Sequence, residues 1–293
     1  MMANMSLAEG QLQEMSKMIS DCHMHTNFSP DADRGATPEV MIKGALEKGL
    51  KRICFTDHYD LDFPFETTNG DMTKNEFLFD LNGYFAVLED LKEKYKDRID
   101  IRIGIEFGLQ SHLGTRYRKI AQEYPFDYII GSGHVFGGID PYYTKDTDGR
   151  PDQMRYKEAF IEMLDYIKAV EDFDSLGHLD YIVRYGREQQ KFYSYRQFAD
   201  EIDEILKYLI AHGKALELNM AGVKYGLGFA HPHPDILKRY KELGGEMVTV
   251  GSDAHRPKHI AYAYEKAGEI LKECGFGCYT EFIKRKPQSI QIA

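Results

Sequence analysis

Two histidines with a single residue between them begin the part of the sequence that could carry chemistry. In the stretch "DCHMHTNFSPDA", His23 and His25 flank Met24. Side chains at alternate positions of a β-strand point to the same face, so both imidazoles can face one ion if this stretch is extended. Neutral imidazole is the commonest metal ligand in proteins. The spacing therefore indicates a metal site, whereas a lone histidine on a strand is more often an ordinary core residue.

The same kinds of side chain recur where other short apolar runs end. These residues are Asp57, His58, Glu106, His134, His178, Glu217, Asn219, Asp253 and His255. Burying so many imidazoles and carboxylates together is costly unless an ion binds them. The set predicts a site for zinc, iron or manganese, which accept mixed histidine and carboxylate ligands. Asp21, Asp57 and Asp180 could instead orient the imidazoles from behind.

Seven apolar runs alternate with helical patterns along the chain. The runs cover residues 18–25, 52–58, 101–108, 128–134, 174–180, 214–220 and 247–255. Several are almost continuously apolar, as in strands buried on both faces of a parallel sheet. Thr37 and Pro38 predict the start of one helix, and Ser194 with Gln197 predicts a capping box at another. We therefore predict an α/β fold with barrel-like closure, in which the strand ends bring distant residues to one face.

Length, charge and cysteine content restrict the class of protein. A chain of 293 residues suits one large domain, which we assign to residues 18–293 after an N-terminal lead-in at 1–17. The net charge of −10 argues against nucleic-acid binding, which needs clustered lysine and arginine. No run has the length of a signal peptide or a membrane span, so we expect no membrane association and a cytoplasmic location. The four cysteines suggest reduced thiols, and the Cys274–Cys278 pair is weak evidence for a metal site.

The polar motifs, taken together, resemble the PHP (polymerase and histidinol phosphatase) family. The matching stretches are "HMH", "TDH", "GIEFG", "GSGH", "GHLD" and "GSDAH", which follow one another between residues 23 and 255. The region from "ELNMAG" to "GSDAHRP" is similar to the histidinol-phosphatase branch of that family. The resemblance implies a distorted, TIM-like (β/α)7 barrel, the PHP fold. It also implies a metal-dependent enzyme of histidine biosynthesis that hydrolyses L-histidinol phosphate to L-histidinol and phosphate.

The resemblance further implies up to three divalent metal ions (zinc, iron or manganese). The ligands would be His23, His25, Glu106 and Asp253 for the first ion, Glu106, His134 and His178 for the second, and Asp31, His58 and His255 for the third. Asp31 stands where many relatives have histidine, and a carboxylate there favours harder ions such as manganese or iron. Asp33 is a nearby alternative for the same role.

Such a centre predicts hydrolysis of a small phosphate ester. A hydroxide that bridges two ions would attack phosphorus, and Asp253 or His255 would pass a proton to the leaving alkoxide. Arg184, in the loop after His178, and Lys224 are the predicted phosphate-binding residues. Two further arginines are reserves for that role: Arg187 and Arg256. The alternative for each of these cations is a solvated charge on the surface.

The leaving group of such a substrate would carry an ammonium and an imidazole. The loop at 58–71 is rich in acidic and aromatic residues that could contact them, namely Tyr59, Asp60, Asp62 and Phe63. Glu217 and Asn219 are alternative recognition residues, or are structural. Three other histidines lie in helical or loop context and are predicted to be structural or solvated: His112, His212 and His259.

Two other functions remain open at this stage. A phosphoesterase of the same fold could act on another small ester, such as a nucleotide or a sugar phosphate. A non-catalytic metal-binding module is the second alternative, and the complete set of predicted ligands argues against it. The sequence leaves the oligomeric state open.

Overall fold

A parallel sheet that curves until its edges nearly meet forms the centre of the computed structural model, which describes residues 18–144 and 149–292. Its strands are β1 (Ser20–Met24), β2 (Arg52–Phe55), β3 (His58–Tyr59), β4 (Asp100–Gly108), β5 (Tyr128–Ser132), β6 (Ser175–Leu176), β7 (Ala215–Asn219) and β8 (Val248–Gly251). The order is β1-β2-β4-β5-β6-β7-β8, and β3 pairs with the second half of β4, beyond the end of β2. Every predicted run contains a strand. The predicted lead-in at 1–17 lies outside the described residues, so its boundary stays a prediction.

Two backbone hydrogen bonds bring the first and last strands of the barrel together. The N–H of Asp253, just after β8, donates to the carbonyl oxygen of His23 at 2.8 Å. The N–H of His25 donates to the carbonyl oxygen of Ala254 at 3.0 Å. This seam aligns the ends of β1 and β8, so the predicted distorted (β/α)7 barrel is confirmed.

Helices connect the strands and bury one face each. They are α1 (Pro38–Glu47), α2 (Leu81–Tyr95), α3 (Gly114–Glu123), α4 (Pro141–Thr144), α5 (Asp152–Ala169), α6 (Ala199–Ala211), α7 (Ala221–Lys224), α8 (Pro234–Glu242) and α9 (Tyr264–Glu273). Shorter 3-10 turns cover Phe65–Thr67, Ser111–Leu113, Tyr181–Tyr185, Gln189–Phe192, Tyr195–Phe198 and Pro257–His259. In α6 the buried residues follow the helical period: Ile202, Ile205, Leu206 and Leu209. None of the helices in the described ranges is long and apolar enough to cross a membrane.

The two predicted helix starts have different outcomes. Thr37 caps α1 as predicted, because its hydroxyl oxygen accepts the N–H of Val40 at 3.4 Å and Pro38 is the first helical residue. The capping box at Ser194 is wrong. The Ser194 hydroxyl donates to the side-chain oxygen of Gln197 at 3.4 Å, a 3-10 turn occupies residues 195–198, and α6 begins only at residue 199.

A C-terminal hairpin that the sequence did not predict covers the N-terminal end of the barrel. Its strands are β9 (Cys278–Ile283) and β10 (Lys286–Gln291). The ring of Phe282 stacks on Tyr128 with centroids 5.2 Å apart. Lys284 and Arg285 form the turn with φ of 49° and 63°. Left-handed turns of this kind usually carry glycine or asparagine. Neither residue stands at position 284 or 285, so the sequence contains no turn signal from which to predict the hairpin.

The cysteines behave as predicted for free thiols. Cys22, Cys54 and Cys274 are buried, Cys278 is partly exposed, and all four are free. The Sγ of Cys274 contacts the carbonyl oxygen of Pro234 at 3.5 Å. Among the described residues, no group of possible metal ligands includes a cysteine.

Candidate metal centre

Glu106, fully buried in the second half of β4, lies at the centre of the predicted ligands. Its Oε2 is 3.2 Å from Nε2 of His23 and 3.5 Å from Nε2 of His25. The two imidazoles of the HMH motif do face the same way, with their Nε2 atoms 3.0 Å apart. Asp253 approaches from β8, and its Oδ1 lies 3.3 Å from Nε2 of His25. The four predicted ligands of the first ion therefore meet at one point.

The other carboxylate oxygen of Glu106 faces a second pair of histidines. Its Oε1 is 3.0 Å from Nε2 of His178 and 3.3 Å from Nε2 of His134. Ser132 fixes this oxygen by donating a hydrogen bond of 2.6 Å from its hydroxyl group. One carboxylate thus has an oxygen for each of two neighbouring groups, which is the arrangement that a bridging ligand requires.

A third group forms on the open side of His25. The Nε2 atoms of His58 and His255 are 3.4 Å apart, and the two rings pack against the ring of His25. Asp31 joins them, with Oδ2 3.0 Å from His255 Nε2 and 3.5 Å from His58 Nε2. Asp33 turns away, because its carboxylate accepts the N–H of Gly35. The structure therefore brings Asp31, and not Asp33, to the predicted third position.

Several atoms in these groups are buried without a hydrogen-bond partner. They include Oε2 of Glu106, Nδ1 of His58 and Nε2 of His134. The Glu106 and His58 atoms are 2.9 Å apart, yet their orientation makes no hydrogen bond. An unsatisfied buried polar group costs about 1–3 kcal/mol, so such atoms are retained where a ligand compensates them. Imidazole nitrogens and carboxylate oxygens that converge while several of them make no hydrogen bond fit divalent metal ions.

Glu217 orients the first histidine of the HMH motif from behind. Its Oε1 lies 2.6 Å from Nδ1 of His23, and its Oε2 accepts the backbone N–H of His178 at 3.0 Å. Asn219 donates to the same Oε2 at 3.1 Å. The contact needs glycine at position 251, because a Cβ there would lie 2.3 Å from Cβ of His23. Glu217 and Asn219 are thus orienting residues behind the predicted ligands.

Two further acidic residues support imidazoles. Oδ2 of Asp60 lies 2.7 Å from Nδ1 of His134, so this residue of the 58–71 loop orients a predicted ligand. Asp57 acts through Ser29, whose hydroxyl donates to Oδ1 of Asp57 at 2.8 Å and lies 3.1 Å from Nδ1 of His25. Such contacts fix the tautomer and the ring orientation of a ligating histidine.

The same role, suggested for Asp21 and Asp180, is wrong. The carboxylate of Asp21 accepts the N–H of Ser252 at 3.0 Å and its hydroxyl at 2.5 Å, so it supports the end of β8. Asp180 binds Nδ1 of His231 at 2.5 Å and accepts the hydroxyl of Tyr193 at 2.8 Å. Neither carboxylate contacts the imidazole of a predicted ligand, because closer donors from neighbouring loops occupy it.

The charges of the centre are strongly coupled. Burial opposes the charge on His23, but Glu217 and Glu106 outweigh it and raise the pKa of this imidazole well above its usual value. Burial also opposes the charge on Glu106, but His23, His58 and His134 hold the pKa of its carboxyl well below the usual range. Burial, together with the nearby His255 and His58, lowers the pKa of His25. Metal binding must displace protons from such imidazoles, so metal loading falls as the pH is lowered.

A cavity of about 520 Å³ opens beside the three groups. Several predicted ligands line it, namely Asp31, His58, His134, His178, Asp253 and His255. Arg184 also lines it, with its guanidinium 3.4 Å from the ring centroid of Tyr225 and further from those of Tyr181 and Tyr185. No ion pair joins Arg184 to a carboxylate within the described part of the chain. A planar cation held by aromatic rings beside a metal centre can bind a phosphate group.

The other predicted cations have different positions. The amino group of Lys224 donates to the carbonyl oxygen of Asp253 at 2.7 Å, and Lys224 is not among the described residues that line the cavity. Arg187 does not line it either, whereas Arg256, a reserve candidate, does. His259 lies in the cavity wall as well, which the sequence analysis did not anticipate. Burial and neighbouring cations lower its pKa to about 4, so this imidazole is neutral at pH 7.

The 58–71 loop contributes only part of what was predicted. Phe63 and Asp71 line the cavity, together with Asp60. Asp62 points away from the cavity and pairs with Arg116 at 2.6 Å and with His112 at 3.1 Å. Tyr59 is also absent from the cavity lining in the described residues. His112 is an exposed side chain paired with Asp62 outside the cavity, which agrees with the prediction that it is structural or solvated.

The chain belongs to the PHP domain family, whose profile matches residues 21–221. It is similar to the histidinol-phosphatase of Lactococcus lactis subsp. lactis, with 31% identity over 262 residues, which cover 87% of this chain and 91% of the relative. It is 32% identical to the "probable histidinol-phosphatase" of Clostridium acetobutylicum over 261 residues, or 88% and 94% of the two chains.

Two solved structures match this chain over most of its length. The crystal structure of the Lactococcus lactis histidinol phosphate phosphatase, complexed with zinc, L-histidinol and phosphate, matches with a TM-score of 0.80 and 31% identity, covering 93% of this chain and 99% of that one. A putative histidinol phosphatase of Listeria monocytogenes matches with a TM-score of 0.67 and 21% identity, over 84% of this chain and 99% of that one. The second likeness shows the fold alone.

Proposed function

We propose that this protein is a metal-dependent phosphomonoesterase that hydrolyses L-histidinol phosphate to L-histidinol and phosphate. The observation that carries the proposal is the convergence of histidine and carboxylate groups around Glu106, beside a cavity that also holds Arg184. The relative with zinc, L-histidinol and phosphate bound, at 31% identity over nearly the whole chain, supports the choice of substrate. A phosphate group at the metal centre would leave the organic part of the ester in the open cavity.

The residues of the site would hold the metal ions and bind the phosphate group. His23, His25, Glu106 and Asp253 would hold one ion, with His134 and His178 on the other side of Glu106, and with Asp31, His58 and His255 at the third position. Bound divalent ions lower the pKa of water and neutralise phosphoryl oxygens, which are the two requirements for attack on a phosphate monoester. Arg184 would bind the phosphate from the cavity wall.

A proton must also reach the leaving alkoxide. Asp253 and His255 both line the cavity, with Oδ1 of Asp253 3.3 Å from Nδ1 of His255. Either group could therefore accept a proton from the attacking water and pass it to the ester oxygen of the leaving group. Lys224 would act indirectly, because its amino group holds the backbone of Asp253.

Phosphate release from L-histidinol phosphate by the metal-reconstituted protein tests the proposal, with a nucleotide and a sugar phosphate as comparators. We expect a preference for L-histidinol phosphate of hundreds-fold in kcat/KM, which corresponds to about 3 kcal/mol. Faster turnover of a comparator would assign the same centre to another small ester. No hydrolysis of any ester by the metal-loaded protein would favour the non-catalytic metal-binding module.

A further inference from the structure

The carboxylates that line the cavity fall into two sets. Three of them lie beside imidazoles of the metal centre: Asp31, Asp60 and Asp253. The other two, Asp71 and Asp140, have no ion pair with lysine, arginine or histidine in residues 18–144 and 149–292. Asp71 is exposed, so water solvates its charge. Asp140 is half-buried, and among the described residues it is therefore the cavity carboxylate that has neither an ion-pair partner nor full solvation.

Asp140 has a fixed position in the wall of the cavity. Its Oδ1 accepts the backbone N–H of Tyr142 at 2.9 Å, at the start of α4. It belongs to none of the possible metal-ligand groups in the described residues. Burial raises the pKa of its carboxyl to about 6, and the nearby carboxylates of Asp60 and Asp31 add to this effect. A cation placed beside it would therefore be stabilised more than at an exposed carboxylate.

Aromatic side chains surround the same part of the cavity. Tyr142, Tyr143, Tyr181 and Tyr185 line it with Asp140, and the Tyr181 and Tyr185 hydroxyl groups are 2.8 Å apart. The rings of Tyr142 and Tyr143 meet edge to face with centroids 5.0 Å apart. Aromatic faces attract organic cations and pack against flat heterocycles. The cavity thus combines the Arg184 guanidinium, several aromatic rings and a carboxylate that has no ion pair within the described residues.

We propose that Asp140 is the residue that selects the leaving group, by binding an organic cation, the ammonium or the protonated imidazole of the substrate. This inference rests on the proposed function, since it concerns the organic part of the same ester. It predicts that the enzyme discriminates against phosphate esters whose leaving group has similar size and no positive charge.

The test compares L-histidinol phosphate with 2-phenylethyl phosphate, which carries an aromatic ring and no cation. In the metal-loaded full-length protein, Asp140→Asn should lower the ratio of kcat/KM for the two esters by roughly 10- to 100-fold, mainly through KM for L-histidinol phosphate, because a charge-assisted hydrogen bond is lost. Asparagine keeps the oxygen that accepts the Tyr142 N–H, so the loop should stay folded. Asp62→Asn is the matched control, because Asp62 pairs with Arg116 outside the cavity, and its ratio should equal that of the wild type.

A second measurement separates this inference from the proposed function. Calorimetric binding of L-histidinol to the zinc-loaded protein should weaken roughly 10-fold or more in Asp140→Asn, with metal content unchanged. If the wild type hydrolyses L-histidinol phosphate selectively and neither the ratio nor the binding changes in Asp140→Asn, the inference is overturned and the proposed function stands. If the wild type does not hydrolyse this ester, the proposed function fails, and the inference stands only if the variant loses L-histidinol binding that the wild type has.

Discussion

Buried polar groups at the two ends of the barrel differ in whether they have hydrogen-bond partners. At the N-terminal end, under the C-terminal hairpin, Asp174 accepts hydrogen bonds from the N–H of Ile129 at 2.8 Å and from the guanidinium of Arg285 at 2.5 Å. Asp127 beside it accepts the backbone N–H of Ile103 in β4 and that of Lys284 in the hairpin turn, at 3.1 Å each. At this end the protein itself supplies the partners of its buried carboxylates.

At the C-terminal end of the strands, by contrast, several buried polar atoms of the described residues converge without hydrogen-bond partners. Glu106, His58 and His134 each keep at least one buried nitrogen or oxygen without a hydrogen bond. Without an ion these atoms make the free energy of folding less favourable, whereas a bound ion would compensate that cost. The pairing of buried polar groups, more than their number, therefore distinguishes the functional end of this barrel from the structural one.

The largest effect is expected from a substitution of Glu106. Glu106→Gln should lower kcat/KM by on the order of 1,000-fold or more and reduce the bound metal, because it removes the carboxylate shared by two groups. Metal content and kcat/KM are measured on the same sample. Glu281→Gln is the control at the other end of the barrel, where Glu281 contacts Arg52 and Tyr279. This variant should keep the metal content and the kcat/KM of the wild type. Full metal content with activity above one tenth of wild type in Glu106→Gln would contradict the central role of this residue.

The complementary change at the hairpin should affect stability and leave the chemistry intact. Phe282→Ala removes a buried ring that stacks on Tyr128, and should lower the free energy of unfolding by about 3–5 kcal/mol. Denaturant unfolding measures this loss, with the exposed Val87→Ala as a control expected within about 0.5 kcal/mol of wild type. Below the unfolding transition, kcat/KM of the metal-loaded variant should match the wild type. A large loss of activity in the folded variant would show that the two ends are coupled.

An intermediate loss of metal affinity or activity is expected from a change of Glu217, which lies behind the predicted ligands. Glu217→Gln weakens the contact that orients His23, and should reduce metal affinity or kcat/KM by roughly 10- to 100-fold. Competition with a chelator measures the affinity. The loss should be smaller than that of Glu106→Gln. An equal loss in the two variants would indicate that Glu217 binds metal directly.

The smallest effect concerns a carboxylate at the functional end that does have a partner. The hydrogen bond from Arg116 lowers the pKa of Asp62, so the pair stabilises the folded state above a pH of about 4 and loses this effect as the pH falls through the folded-state pKa. Both side chains are about half exposed, so Asp62→Asn should cost less than about 1 kcal/mol at pH 7. Unfolding measured in steps from pH 7 to pH 3 should show the difference vanish. A loss of activity in this variant at pH 7 would mean that pairing does not distinguish structural from functional carboxylates here.

The sequence alone was enough to predict the strands of the barrel, though not those of the C-terminal hairpin, and the kinds of side chain at the strand ends. The continuous apolar runs identified all seven strand regions, because strands buried on both faces leave no polar alternation. The period of two along a strand was enough to place His23 and His25 on one face. Thr37 and Pro38 fixed the start of α1, since capping depends on residues close together in the chain.

Which polar groups meet depends on the packing of distant parts of the chain. Glu217 and His23 are 194 positions apart, and their contact follows from the closure of the barrel rather than from any local pattern. Loop geometry likewise brought Asp31 rather than Asp33 to His255, turned Lys224 onto the backbone of Asp253, and used Asp60 to orient His134. Local propensity and spacing specify the elements, but the direction of a hydrogen bond between distant loops depends on the packing of the whole barrel. That is why the sequence predicted the members of the centre and the structure was needed to assign their neighbours.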